Sequence, residues 1–309
     1  MKAAIIDLGT NTCNLLIAES DGSTYNILHQ SKQLVRLGDN KIRDGEISYE
    51  ARQRAIGAFQ QHKQIIGQFQ PEKIRVVATS AVRTATNKIE FLDALADSSG
   101  WLTKVITGEK EAELIFDGVM LAFQQLEKPS LILDIGGGSN ELIIAKGTEM
   151  VWKESQPTGM ARIINQFNLS DPIRPEDVQL LKNHFAGFHT AALDHCKTEK
   201  VELLVGCSGA FDTIADIIDG VNPGEKSRKT QEIPIGLFYD VYERLLKSTR
   251  DERLTMRGMD FVRVDLIVPA MILIEFLISA NHLKQIVQTD FALREGVFYE
   301  LMNGKEIKQ

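Results

Sequence analysis

The chain of 309 residues is short of three things that would otherwise point to a compartment or a partner class. It has only three cysteines, Cys13, Cys196 and Cys207, with no C-x-x-C spacing, which argues against a disulfide framework and a thiolate zinc site. Reduced core thiols are expected instead. It has no excess of positive charge: 35 Lys+Arg stand against 42 Asp+Glu, a formal net charge of −7. Sequence-independent nucleic-acid binding needs a basic field, so no nucleic-acid partner is expected. It also has no long apolar run. The opening MKAAIID is apolar only from Ala3 to Ile6, against about 7–15 residues in a signal-peptide core. The longest apolar stretch, Leu266 to Ala280, contains Pro269 and Glu275 and falls short of the roughly 20 residues that span a bilayer. The expectation is a cytoplasmic protein with no membrane partner and a buried helix over 266–280.

What is present is ordinary globular material, 43% hydrophobic and 25% charged, enough for two cores at roughly 100–200 residues per domain. Short aliphatic runs alternate with segments of helical period, the pattern of an α/β protein with mixed or parallel sheets. Strands are expected near 2–8, 13–20, 24–32, 74–79 and 102–106. A helix is expected from Ser48, as N-cap, to Phe69, another where Asn87 and Glu90 have capping-box spacing, and a third over 109–125. After a loop around Glu127-Lys128-Pro129 the pattern restarts with strands at 130–134, 140–145 and 149–155 and helices at 160–167 and 175–194. A strand at 201–205, a helix from Ser208, a polar loop over 222–229, four more helical stretches and a strand at 284–288 complete the chain.

One internal repeat organises this list. Asp7-Leu-Gly-Thr-Asn-Thr-Cys-Asn-Leu-Leu-Ile17 aligns without gaps on Asp134-Ile-Gly-Gly-Gly-Ser-Asn-Glu-Leu-Ile-Ile144, with Asp, Gly, Leu and Ile identical. Each copy is a strand, an Asp, a turn of small residues and a second strand, so the chain reads as two halves on one plan. Such turns allow close backbone approach, and their N–H groups can form an anion-binding concavity. Gly9-Thr10-Asn11-Thr12 and Gly136-Gly137-Gly138-Ser139 are therefore candidate phosphate loops. Asp7 and Asp134, at equivalent strand ends, are candidate ligands for Mg²⁺. Glycine turns also join hairpins with no ligand at all, and it is the duplication that favours phosphate.

The paired loops are similar to those of the acetate and sugar kinase, heat-shock ATPase and actin superfamily. A longer series narrows the resemblance: DLGTNTCNLLI at 7–17, VVATSAVRTATN at 76–87, ITGEKEAELIFDGV at 106–119, LDIGGGSNELII at 133–144 and VGCSGAFDTIA at 205–215. This order resembles the exopolyphosphatase and guanosine pentaphosphate phosphohydrolase (Ppx/GppA) family. Two weaker blocks agree, Arg263-Val-Asp-Leu-Ile-Val-Pro269 and Leu293-Arg-Glu-Gly296. The resemblance implies two similar ribonuclease-H-like (actin-like) α/β domains with mixed sheets around an interdomain cleft. The expected domains are 1–126, with the C-terminal helix 292–309 as a candidate addition, and 127–291. A short two-domain form is expected, since the six histidines include no His-Asp pair that would mark the additional helical region of longer members.

The resemblance also implies roles. Glu111 falls on the family's catalytic base, where a carboxylate can orient a water and take its proton. Arg83 falls on a phosphate-contacting arginine, whose planar guanidinium suits phosphate oxygens. Glu141 matches an acidic position near the metal. Arg36 lies in a locally basic stretch with Lys32, Lys41 and Arg43 and is a candidate for phosphate neutralisation. Gly206-Cys-Ser-Gly209 opens a helix and is a weaker phosphate candidate. Lys110 stands where the family has an acidic neighbour of the base, Glu113 where Arg is frequent, and Asn140 where Thr is usual. Gly220 to Ser227 has the look of a Walker loop, but its second glycine is followed by Glu and the spacing fails.

The expected activity is Mg²⁺-dependent hydrolysis of a terminal phosphoanhydride, with inorganic polyphosphate or guanosine pentaphosphate as substrate. An ATP-dependent kinase or ATPase of the same superfamily, and an actin-like assembly protein, are the rival readings. The apolar stretch from Leu266 to Leu277 suggests a homodimer.

Overall fold

The structure is a computed structural model and describes residues 1–22, 25–38, 45–207 and 209–304. Lys41, Arg43 and Ser208, named above, lie outside the described residues. In chain order the elements are β1 (Lys2–Leu8), β2 (Thr12–Ser20), β3 (Tyr25–Leu34), α1 (Tyr49–Phe69), β4 (Lys73–Ala78), α2 (Ser80–Thr84), α3 (Lys88–Ser99), β5 (Thr103–Val105) and α4 (Gly108–Phe123). There follow β6 (Leu126–Ile135), β7 (Asn140–Gly147), β8 (Glu149–Gln156), α5 (Met160–Gln166), α6 (Pro175–Phe188), α7 (Thr190–Glu199), β9 (Leu203–Cys207) and α8 (Gly209–Asp219). The last elements are β10 (Gln231–Ile233), α9 (Ile235–Lys247), α10 (Arg250–Thr255), α11 (Ile267–Asn281), β11 (Gln285–Thr289) and α12 (Leu293–Met302). The chain forms two compact units, one of 1–118 with 293–309 and one of 119–292.

In the first unit the sheet order is β3-β2-β1-β4-β5, with β1, β2 and β3 antiparallel and β4 and β5 parallel to β1. In the second unit β8-β7-β6-β9-β11 repeats that order and those directions, and β10 adds an antiparallel edge. These are two mixed-sheet α/β units. The repeated sequence thus becomes a repeated hairpin at the centre of each sheet, whose strands are buried aliphatic runs such as Ala3 to Ile6 and Leu142 to Ala145.

Helix α1 covers the first sheet because Ala51, Ala55, Phe59, His62 and Ile66 recur at three- and four-residue spacing and are buried. Ser48 caps it, accepting from the Ala51 N–H at 3.1 Å. The capping box expected at Asn87 does not form. The Asn87 amide instead clamps the Ile47 backbone, at 3.0 Å and 2.9 Å, and Glu90 pairs with Arg52 at 2.7 Å. Tertiary partners outcompete the local cap.

The stretch expected as one helix over 175–194 is two, because His189 turns inward between them. Its ring is fully buried, with Nδ1 3.5 Å from Glu154 and Nε2 3.4 Å from the Thr158 hydroxyl. The loop expected at 127–129 lies within β6, where a bulge between Leu126 and Ser130 accommodates Pro129. Two short elements, α2 and β10, were not legible as periodic patterns.

Helix α11 is the expected buried helix, apolar on every side and packed into the core of the second unit. Its one acid, Glu275, is 8% exposed, pairs with Lys182 at 2.5 Å and accepts from Ser279 at 2.6 Å. Leu266 to Leu277 is therefore packed into the core of its own unit, with Phe276 alone part-exposed. Among the described residues no helix is long and apolar enough to cross a membrane. Cys13, Cys196 and Cys207 are free and buried, as expected of core thiols.

Candidate active site

Strand β1 delivers Asp7 to the end of the first sheet, and the Gly9 N–H turns back to the Thr12 carbonyl at 2.9 Å. The carbonyls of the turn are taken by the chain beyond β3. Val35 and Arg36 donate to Asn11 O at 2.9 and 3.0 Å, and Leu37 and Gly38 to Thr10 O at 2.7 and 3.2 Å. Among the described residues the N–H groups of Thr10 and Asn11 donate to no acceptor. A turn with its carbonyls tied back and its N–H groups free has the polarity of an anion cradle.

Arg36 is exposed and holds φ at +44°, the left-handed region that a non-glycine residue rarely adopts. Its carbonyl accepts from Arg54 at 3.0 Å. The structure thus brings Arg36 to the flank of the first loop by backbone hydrogen bonds rather than by its side chain.

Asp7 faces Asn14 across β1 and β2, and the Asn14 amide donates to Asp7 Oδ2 at 3.0 Å. Its other oxygen, Oδ1, is buried without a hydrogen-bond partner, as is Thr10 Oγ1. Burial raises the Asp7 pKa above its ordinary value; the Asn14 hydrogen bond and the Arg294 charge oppose this, while the Glu295 charge adds to it. An unpartnered carboxylate oxygen in such a setting is a donor for a hard cation.

The second loop repeats the hydrogen bond of the first, from Gly136 N to Ser139 O at 3.0 Å. A Cβ on Gly136 would stand 2.7 Å from that oxygen, so the turn requires glycine there. Again the carbonyls are engaged from behind: Met160 N donates to Gly136 O at 3.0 Å, Ala161 N to Gly137 O at 2.8 Å and Arg162 Nε to Gly138 O at 2.8 Å. Gly159 allows this approach, since a Cβ there would lie 2.5 Å from the backbone of Gly137 and Gly138. Among the described residues the Gly137 and Gly138 N–H groups donate to no acceptor.

Asp134 stands opposite Glu141 in the register of β6 and β7, the position that Asn14 holds opposite Asp7 in the first hairpin. Glu141 is 1% exposed and accepts from the Ser155 hydroxyl at 2.6 Å, so it is not a solvent-facing strand residue. Two carboxylates on facing strand positions repel each other, and a cation between them removes that cost. Asn140, which follows the loop, is buried and donates to Thr158 O at 2.7 Å and Oγ1 at 3.0 Å.

Asp7 lies in one unit and Asp134 and Glu141 in the other. Among the described residues no three His, Cys, Asp or Glu side chains gather into a metal cluster.

Glu111 sits in the first turn of α4, and its N–H donates to Thr107 O at 2.9 Å. It is 7% exposed although it is charged. Arg83, from α2, carries it: Nη1 donates to Glu111 Oε2 at 3.0 Å and to Ile106 O at 2.9 Å. Among the described residues Arg83 Nε and Nη2 make no hydrogen bond. The sequence marks both residues but not their pairing.

Arg263, which the sequence marked only as part of a weak block, lies beside the second loop. Its side chain lines a small cavity with Gly136, Gly137, Met160, Ala210 and Leu266. A Cβ on Gly209 would meet Arg263 Nη2 at 2.0 Å, so that glycine makes room for the guanidinium. Its buried Nε has no hydrogen-bond partner. Nothing in composition or periodicity distinguishes this arginine. Gly206 and Cys207 end β9, and Gly220 to Ser227 follows α8 without forming a helix or strand.

The chain matches the model of the Ppx/GppA phosphatase family over residues 16–305. It is 32% identical to an exopolyphosphatase from Cytophaga hutchinsonii of known crystal structure, each chain covered over 100% of its length with a TM-score of 0.95. It is 28% identical over 285 residues to Exopolyphosphatase 2 of Mycobacterium tuberculosis, covering 89% of each chain. The crystal structure of the Aquifex aeolicus Ppx/GppA family member, 24% identical with 99% of each chain covered and a TM-score of 0.82, shares the fold. With sequence, fold and loop geometry in agreement, the chain belongs to the Ppx/GppA phosphatase family and is a hydrolase.

Proposed function

We propose that the protein is an exopolyphosphatase, releasing orthophosphate from the end of inorganic polyphosphate by attack of water on the terminal phosphorus. The observation that carries this reading is the duplicated loop, with the same backbone hydrogen bond, the same freed N–H groups and an acid at the same strand end. Each unit thus carries an anion cradle, which suits a phosphate substrate. The names of the relatives point the same way.

In this reading Thr10, Asn11, Gly137 and Gly138 bind phosphate oxygens through their backbone N–H groups, and Thr12 and Ser139 complete the turns. Glu111 orients the water and takes its proton. Arg83 fixes that carboxylate through Nη1 and has Nε and Nη2 for phosphate oxygens. Arg36 and Arg263 offset charge at the flanks of the loops. Asp7 in the first unit and the facing pair Asp134 and Glu141 in the second are the candidate ligands for Mg²⁺, which would neutralise phosphate oxygens.

Guanosine pentaphosphate presents the same terminal phosphoanhydride, and ATP a similar one. Phosphate release with Mg²⁺ from long-chain polyphosphate, guanosine pentaphosphate and ATP, measured in parallel, separates the three. The proposal expects the highest kcat/KM on polyphosphate. Preference for the guanosine compound would make the protein an alarmone phosphatase, and turnover of ATP alone would overturn both.

A further inference from the structure

Lys110 replaces an acid next to the proposed base, and the structure gives it a task. Its Nζ lies 2.6 Å from Glu300 Oε1 on α12 and 3.1 Å from Glu113 Oε2. The Lys110 and Glu300 side chains are 17% and 6% exposed, and Glu300 Oε2 is buried with no other partner. Burial works to lower the Lys110 pKa, but the hydrogen bonds it donates to Glu300 and Glu113, with their charges, outweigh it and the net shift is upward. A second contact joins the same two helices. A Cβ on Gly296 would stand 1.7 Å from Leu114 O and 3.1 Å from Gly118 N, so α12 lies with its backbone directly against α4.

We propose that Lys110 and Glu300 are a positioning pair for Glu111, through which the C-terminal helix α12 fixes the first turn of α4. The inference rests on the reading of Glu111 as the base. The first turn of a helix lacks half of its backbone hydrogen bonds and is its loosest part. Adjacent helical residues lie about 100° apart around the axis, so anchoring Lys110 fixes the rotation of that turn and the direction of the Glu111 carboxylate. Arg83 then holds the tip of Glu111 while the ion pair holds its root. The first unit has its proposed catalytic acid set by a segment from the far end of the chain, which belongs to the same unit.

The test compares kcat and KM on polyphosphate with Mg²⁺ for Glu300→Gln, Lys110→Gln and Lys110→Arg, each also in a Glu111→Gln background, with thermal unfolding as a check on the fold. Glu300→Gln and Lys110→Gln are expected to lower kcat about tenfold with KM nearly unchanged, as a small misplacement of a catalytic group does. Lys110→Arg keeps the charge and is expected to retain most of the rate. In the Glu111→Gln background neither neutral variant should reduce the residual rate further. Lys110 is the more exposed partner, and its variants carry the test if Glu300→Gln does not fold. Full kcat in both neutral variants, beside an inactive Glu111→Gln, overturns the positioning role alone; so does an equal fractional loss in the Glu111→Gln background. Full activity of Glu111→Gln itself removes the reading beneath it and the inference together.

Discussion

Arg83 Nη1 lies 3.0 Å from Glu111 Oε2 and 2.9 Å from Ile106 O, so one guanidinium nitrogen joins α2, the end of the β5 segment and α4 at the proposed base. The pair is half-buried at the arginine and nearly closed at the acid, with side-chain exposures of 23% and 9%. A carboxylate held at this depth has a defined direction, which a surface glutamate lacks.

Replacing Arg83 therefore acts on Glu111 as well as on phosphate. Arg83→Ala should lower kcat/KM about 100-fold or more, since it removes a charge-assisted contact that holds a buried acid in place. Arg83→Lys should recover little, because an ammonium cannot reproduce the planar fork. Steady-state phosphate release checks both, and full activity in Arg83→Lys would show that only the charge matters.

The two loops differ in tolerance at their first glycine. A Cβ on Gly136 meets Ser139 O at 2.7 Å, whereas one on Gly9 meets Thr12 O at 3.2 Å, a distance that slight relaxation accommodates. Gly136→Ala should cost about 1–3 kcal/mol in unfolding free energy as an overpacking change, and most of the activity. Gly9→Ala should be the milder of the two by both measures. Chemical denaturation and kcat/KM on each variant decide the order.

Arg263 tests whether the cavity beside the second loop is part of the substrate path. Hydrogen bonds to charged groups contribute about 1.5–3 kcal/mol, so Arg263→Ala should raise KM for polyphosphate roughly tenfold to a hundredfold while kcat falls less. An unchanged KM would return Arg263 to the role of a packing residue over Gly209.

The sequence was most informative where the chemistry repeats. The Asp7 and Asp134 copies and the strand-turn-strand plan they share were legible because a duplicated pattern of that kind has few other uses; the register and the central place of both hairpins came from the fold. The Ser48 cap and the buried Leu266 to Ala280 helix were legible from local rules. What was not legible depends on contacts distant in sequence. Asn87 looked like a helix cap until Ile47 claimed its amide, and Arg263 was one arginine among many until Gly209 made room for it. The meaning of Lys110 required Glu300, 190 residues away in sequence. Leu266 to Leu277 looked like a dimer surface only because apolarity does not say which face it will meet.

One acid anchors the polar loop over 222–229. Asp219, at the end of α8, accepts from Lys226 at 2.6 Å, Arg228 at 2.7 Å and Gln231 at 3.2 Å. Burial pushes its pKa up, but those hydrogen bonds pull it down from 3.8 to about 2. A folded pKa below the unfolded value stabilises the native state above the unfolded pKa, and that contribution is lost as the pH falls through the folded one. Asp219→Asn should therefore destabilise the protein by about 2 kcal/mol near pH 6, with the gap to wild type narrowing as the pH falls below about 4. Urea denaturation of both proteins across that range checks the sign.

The most direct test of the account is the rate of phosphate release from polyphosphate by Glu111→Gln, with Mg²⁺ present and the fold confirmed by an unfolding midpoint close to wild type. Loss of a positioned general base predicts a fall in kcat of about 10²- to 10⁴-fold with little change in KM. Wild-type kcat in a folded Glu111→Gln protein would contradict it.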